Sequence, residues 1–300
     1  MAEQIESLKK CEICPHKCHV NRYIKQGYCK SKDTVKIANF SLHYYEEPVI
    51  SGKNGSGTVF FSNCNLKCVF CQNYEISNLG KGIEISIQKL SEIFIRLQEL
   101  KANNINLVTP TSYVPQIIEA IKIAKSNGLI IPIIYNTNGY ENIETVNMLN
   151  GYIDVYLPDL KYAENDLAKK YSKIENYFEI STKAIKQMYN QVGDVVLDKN
   201  GLIKKGVIIR HLILPNNIQN SKKVLKWIND NMPKSVLVSI MAQYFPEYKA
   251  KQISELSRKI TKNEYKIIEN YLYSLNIENG YLQDMGICEE KYVPKWEINF

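Results

Sequence analysis

The chain has 300 residues, 45% of them hydrophobic and 10% aromatic, which supplies a sizeable core and excludes a disordered polymer. Its longest apolar runs, at 130–135 and 207–209, fall far short of the roughly 20 residues that span a bilayer, and the start MAEQIESLKKCEIC lacks an apolar signal stretch, so a cytoplasmic protein with no membrane partner is expected. The net charge of +7, from 38 basic and 31 acidic residues with the lysines dispersed, reads as a solvated surface, with weak attraction to nucleic acid or an acidic partner as the alternative.

Residues 1–56 are rich in Cys, His, Lys and Gly and show no strong periodicity, as in a small lobe supported by metal. Cys11, Cys14, Cys18 and Cys29 stand there with His16 and His19 interleaved. Clustered cysteines without a secretory signal bind metal or do chemistry rather than form disulfides. Four thiols suffice for one closed site, and the spacing does not separate structural zinc from an auxiliary iron–sulfur cluster. The stretch GKNGSG at 52–57 precedes a strand, whereas a phosphate cradle follows one and opens a helix. Just before it, His43, Glu46 and Glu47 place acid–base types near a barrel entrance, or on a loop packed against the barrel bottom.

From Gly57 onward short β-rich runs alternate with amphipathic helical patterns, the signature of repeated parallel strand–helix units. Six strands are predicted, at 57–63, 105–110, 130–135, 153–157, 207–214 and 235–240. Most are continuous Val, Ile, Leu and Phe, as befits strands covered on both faces; Pro132 is a blemish in the third. Covering helices are predicted from Ile87, Leu90, Phe94, Leu97 and Leu100, from Val114, Ile117, Ile118 and Ile121, from Ala184, Ile185 and Met188, and from Val224, Leu225 and Ile228. The segment 194–206 reads as a hairpin turning at Asn200-Gly201, and Thr261 with Glu264 as a capping box opening a late helix. Cys288 is isolated and expected to be inert.

The chemistry concentrates in CNLKCVFC, whose cysteines Cys64, Cys68 and Cys71 stand at relative positions 0, 4 and 7 directly after the first predicted strand. In strand–helix barrels the loops after the strands converge on one mouth, where chemistry gathers. Such spacing would also line one helix face with buried thiols, but the segment leaves the strand through Asn63 and Asn65, and three thiols so close bind metal readily. Zinc structural sites and most iron–sulfur clusters take four protein ligands, yet no fourth Cys or His occurs between Asn63 and Arg210. Three thiolates would leave one iron open. Polar residues also follow the other strands, Thr109 and Thr111, then Asn136, Thr137 and Asn138, then Asp159 and Lys161, then Gln243 and Tyr244, while Arg210 and His211 lie within the fifth. At one mouth, Lys161 or Arg210 could pair with a carboxylate, and Asn or Asp could bond ribose hydroxyls or an amine.

CNLKCVFCQN, with Phe70 before the last cysteine, is similar to the C-x3-C-x2-C loop of the radical S-adenosylmethionine superfamily. Over roughly residues 11–245, with YNTNGY, PDLKY and RHLILP, the chain resembles the pyruvate formate-lyase activating enzyme branch and its relatives. The resemblance implies an α/β fold: a partial (β/α)6 TIM-like barrel at 57–245, with the small Cys-rich lobe at 1–56 and a C-terminal helical appendage at 246–300. It implies a [4Fe-4S] cluster on Cys64, Cys68 and Cys71, and S-adenosylmethionine contacted by Asn136, Asp159, Lys161 and Arg210. Reductive cleavage of that cofactor to a 5′-deoxyadenosyl radical, which takes hydrogen from a protein or peptide substrate as a glycyl-radical activase does, is the implied activity. A flavodoxin or ferredoxin would supply the electron. The Gly-Gly-Glu segment usual after the second strand is here VTPTSY, so the cofactor's amino group needs another partner. RNA modification, or a non-catalytic metal-stabilised RNA-binding protein, is the alternative reading of the basic charge.

Overall fold

Branched and aromatic side chains suit a pleated surface buried on both faces, and they set the frame of the computed structural model, which describes residues 3–285 and Trp296. In chain order the strands are β1 (Val35–His43), β2 (Ser56–Phe61), β3 (Ile83–Ile85), β4 (Ile105–Val108), β5 (Ile133–Thr137), β6 (Val155–Pro158), β7 (Val196–Leu197), β8 (Ile203–Leu212), β9 (Leu237–Met241) and β10 (Gly280–Leu282). They form one sheet in the order β10-β9-β8-β6-β5-β4-β2-β1-β3, with β7 paired to β8. Neighbours from β2 to β10 run parallel. The six predicted strands are β2, β4, β5, β6, β8 and β9, and the sheet is an open, partial barrel whose path ends at β3 and β10.

Side chains on the outer face, among them Val59, Leu107, Tyr135 and Ile209, join the buried faces of helices Ile87–Glu99, Val114–Ser126, Tyr177–Val192 and Ile218–Asn231 in one apolar core. The helices bury the stripes their spacing predicted, except that in the first Ile87 is only partly buried and Leu100, just past the helix end, is exposed. Inside the barrel lies a smaller cluster of Ile134, Val155, Leu157, Ile203 and Ile208, closed below by Val49 and Ile50 of the single turn Pro48–Ser51. The turn Pro48–Ser51 therefore packs against the barrel bottom, while Glu46 and Glu47 just before it face the interior, so the segment combines the two placements the sequence offered.

Three local features differ from, or sharpen, the sequence reading. Pro132 lies just before β5 and offers its carbonyl to the Ile105 amide at 2.8 Å, so its missing N–H costs the ladder nothing. The 194–206 segment is a hairpin, with Gly201 at φ 76° and Asp198 Oδ1 accepting from the Asn200 and Leu202 amides at 2.8 and 3.0 Å. The N-terminal region, read as lacking periodicity, contributes β1, which pairs antiparallel with both β2 and β3. Near the other end, the capping box at Thr261 opens helix Lys262–Tyr273, which buries Ile268, and β10 follows it. Cys288 lies outside the described residues.

Candidate active site

The chain leaves β2 through Asn63, whose φ of 70° is a left-handed turn that Asn tolerates. Backbone bonds then fix the cysteine loop: Lys67 N to Ser172 O at 3.2 Å, Val69 N to Tyr171 O at 2.8 Å and Ala250 N to Val69 O at 2.9 Å. Cys64 and Cys68 are buried and Cys71 is partly buried. Each sulfur meets a hydrogen-bonding group. The Leu66 amide and Asn138 Nδ2 donate to Cys64 Sγ at 3.4 Å each, and Ser172 and Ser77 hydroxyls lie 3.0 and 3.1 Å from Cys68 and Cys71 Sγ. Burial pushes the Cys64 and Cys68 thiols up to about 11, and neighbouring thiols reinforce the shift. Such thiols stay protonated until a metal takes them as thiolates.

A polar network stands beside this trio. Arg210 donates through Nε to Asp159 Oδ1 at 3.1 Å, through Nη2 to Asn136 Oδ1 at 2.6 Å and through Nη1 to Glu46 Oε2 at 3.2 Å. Lys161 Nζ takes the other Asp159 oxygen at 2.5 Å. Burial disfavours the charged form of Asp159, but Lys161 and Arg210 outweigh it and hold the carboxyl below its usual value. Lys161 is near enough to Cys68 that its charge lowers that thiol's pKa against the dominant burial. Tyr177 braces the strand ends: its hydroxyl accepts from Lys161 N at 3.0 Å and lies 2.9 Å from both the Asn138 and Asp159 carbonyls. Gly139 is required beneath it, because at φ 81° an added Cβ would stand 2.3 Å from the Asp159 carbonyl oxygen.

The four residues assigned to cofactor binding, Asn136, Asp159, Lys161 and Arg210, thus come together. VTPTSY leaves its strand beside Asn136, whose carbonyl accepts from the Thr109 amide at 2.9 Å, but its Thr111 donates to Glu141 at 2.6 Å, and Tyr135 and Thr137 donate to the same carboxylate. Burial pushes the Glu141 carboxyl up to about 7 despite these donors. Sequence reasoning missed Glu46, Ser172 and Tyr177 as members of the site. Glu46 carried a signal, an acid beside the barrel, but not its partner.

The N-terminal cysteines also gather: Cys11, Cys14 and Cys29 are buried, Cys14 senses the charges of the other three thiols, and Cys11 senses those of Cys18 and Cys29. Against the desolvation that raises it, Arg22 holds the Cys29 thiol below its ordinary value. His16 is committed to the cysteine loop, with Nε2 at 2.7 Å from the Asn65 carbonyl and its ring stacked on Tyr28 at 3.8 Å. His19 pairs with Glu12 at 2.8 Å on the surface. Among the described residues no three Cys, His, Asp or Glu side chains converge as a lone metal ion would require. An iron–sulfur cube, with one iron per thiolate, spreads its ligands more widely than a lone ion does.

Residues 58–228 match the model of the Radical SAM superfamily. The chain is 34% identical over 268 residues to the uncharacterized protein MJ0674 of Methanocaldococcus jannaschii, covering 85% of this chain and 72% of that one. It is 24% identical over 242 residues to the pyruvate formate-lyase-activating enzyme of Clostridium pasteurianum, covering 76% and 94%. The fold is similar to that of Streptococcus suis SuiB bound to the precursor peptide SuiA, with a TM-score of 0.50 at 15% identity over 72% of this chain; it spans 46% of that longer one. The chain belongs to the Radical SAM superfamily. It is an enzyme whose cofactors are a [4Fe-4S] cluster and S-adenosylmethionine. No helix among the described residues is long and apolar enough to cross a membrane.

Proposed function

We propose that this enzyme abstracts a hydrogen atom from a protein or peptide substrate, as a glycyl-radical activase does. Cys64, Cys68 and Cys71 hold the cluster in this reading; three buried thiols, each with a hydrogen-bonding neighbour, fit a cube that keeps one iron open. Asn136, Asp159, Lys161 and Arg210 hold S-adenosylmethionine, and the observation that carries this is their single hydrogen-bonded network beside Cys68. Held by these residues, the cluster and S-adenosylmethionine would supply the radical chemistry, a one-electron cleavage of a carbon–sulfur bond that yields methionine and the means to take the substrate hydrogen.

The chain's own residues do the positioning. Lys161 and Arg210 present charge to a carboxylate, Asp159 and Asn136 accept from an amine or ribose hydroxyls, and Tyr177 fixes the backbone that carries them. A peptide substrate is supported by the likeness to an activating enzyme and to a fold solved with a precursor peptide, and by the open sheet. A flavodoxin or ferredoxin would deliver the electron. The N-terminal cysteines are proposed to hold a second metal, for which the spread of their thiols favours an auxiliary cluster over zinc. The anaerobically reconstituted protein with dithionite should release 5′-deoxyadenosine and methionine, read by chromatography. A Cys68→Ala variant that still releases them would overturn the assignment.

A further inference from the structure

Beyond Arg210 the barrel interior continues into a cavity of about 370 Å³, lined among others by the acids Glu46, Glu47 and Asp284 and by Met241, Tyr281 and Leu282. Its acids are unequal. Glu46 is committed, accepting from Asn106 Nδ2 at 3.1 Å and from Arg210 at 3.2 Å. Glu47 is only 9% exposed, and its Oε2 meets no hydrogen-bond donor. The Arg210 guanidinium cannot serve it fully, being shared already among Asp159, Asn136 and Glu46. Of the two amides at the same wall, Gln283 Nε2 bonds Gln243 Oε1 at 3.0 Å and Gln243 Nε2 lies 3.8 Å from Met241 Sδ, and neither reaches Glu47 Oε2. An unpartnered carboxylate oxygen buried this deeply costs stability unless a ligand completes it. Burial pushes its carboxyl up and Glu46 adds to the shift, while Arg210 and Ser239 pull it down without cancelling it.

We infer that this cavity binds the substrate through a cationic head, an ammonium or guanidinium on an apolar stem, which pairs with Glu47 while Met241, Tyr281 and Leu282 cover the stem. The inference rests on the hydrogen-abstracting function proposed above and names the chemistry of its substrate. A neutral hydroxyl could donate to Glu47 but would leave its charge uncompensated, and an anionic head would be repelled. The cavity meets the cofactor residues at Arg210, so a group seated on Glu47 directs the rest of the substrate toward the cofactor.

The test uses the reconstituted holoenzyme with S-adenosylmethionine and no reductant, titrated calorimetrically with n-butylammonium, with 1-butanol as its neutral isostere, and with acetyl-Gly-Lys-Gly-amide. The cations should bind roughly tenfold or more tightly than the alcohol, and Glu47→Gln should abolish that preference while keeping the alcohol's affinity, which reports an intact cavity. Tighter binding of the peptide than of the free amine places the cation on a chain; equal binding places it on a small molecule; both uphold the site. Absence of any cation preference in the unmodified protein, or a preference that survives Glu47→Gln, overturns it. Should the variant not fold, the unmodified protein's comparison of cation with alcohol still decides. Protein that releases 5′-deoxyadenosine yet shows no cation preference keeps the function and loses this inference, whereas absence of release strikes the function itself.

Discussion

Arg210 and Asp159 are joined twice, by a parallel backbone bridge between the strand ends and by a side-chain contact from Nε to Oδ1 at 3.1 Å. With Lys161 on the second carboxylate oxygen, one buried anion holds two cations. Asp159→Asn would leave Lys161 without its carboxylate and Arg210 with Glu46 alone. Breaking a buried pair on one side costs about 3–5 kcal/mol, so denaturant unfolding should show a loss of that order and calorimetry a weakened affinity for S-adenosylmethionine. A change under about 1 kcal/mol would show that the network is not a structural unit.

Glu141 sets a pH dependence whose sign follows from its raised pKa. Its carboxyl titrates near 7 in the folded protein against an ordinary value of 4.5. Between those values the folded state binds the proton that the unfolded chain has released, so the contribution present below pH 4.5 is lost as pH rises through 7. Glu141→Gln, neutral in both states, should gain on the parent by about 1.4 kcal/mol per pH unit across that window. Chemical unfolding of both proteins at its two ends measures this; parallel curves would refute it.

His211 works in the opposite direction. Buried between the Leu160 carbonyl at 2.7 Å and the Ser221 hydroxyl at 2.8 Å, it has its pKa lowered to about 4 from 6.5, chiefly by desolvation. The folded state refuses a proton that the unfolded chain takes, so stability present above pH 6.5 declines as pH falls toward 4. His211→Gln should flatten that acid limb by roughly 3 kcal/mol in total, read from urea unfolding of the two proteins at both ends of the range.

Tyr177→Phe removes one oxygen from a well-packed ring. It strands the Lys161 amide and the Asp159 and Asn138 carbonyls, so a loss of about 1–3 kcal/mol is expected. Thermal melting would check it, and an unchanged midpoint would mean that water replaces the hydroxyl.

The six parallel strands were legible because doubly covered strands are continuous apolar runs, but their ends were not. β5 carries its ladder into polar Asn136 and Thr137, and β8 begins among exposed lysines because β7 pairs with it. β1 was missed because VKIANFSLH is only half buried and gains its structure from two partners, and β10 because three residues carry no period. In the site, the thiols announced themselves by spacing. The strand-end residues were readable jointly, since each closes an apolar run. Glu46 was not, because its bond to Arg210 crosses 164 positions of sequence.

Elemental analysis addresses the N-terminal cysteines. Reconstituted protein should carry metal beyond one four-iron cluster, and Cys14→Ser should lose that excess together with some thermal stability, since metal binding contributes to folding. Parent protein holding four irons and nothing more would remove the second metal.

Arg210 touches both the residues proposed to hold the cofactor and the acid-lined chamber beyond them. A molecule that draws its guanidinium to one side alters what the other side can grip. Thermodynamic reciprocity then requires that whatever factor the first occupant imposes on the second, the second imposes in return. Under the proposed function, affinity for the cofactor and affinity for the substrate are thereby linked through one side chain.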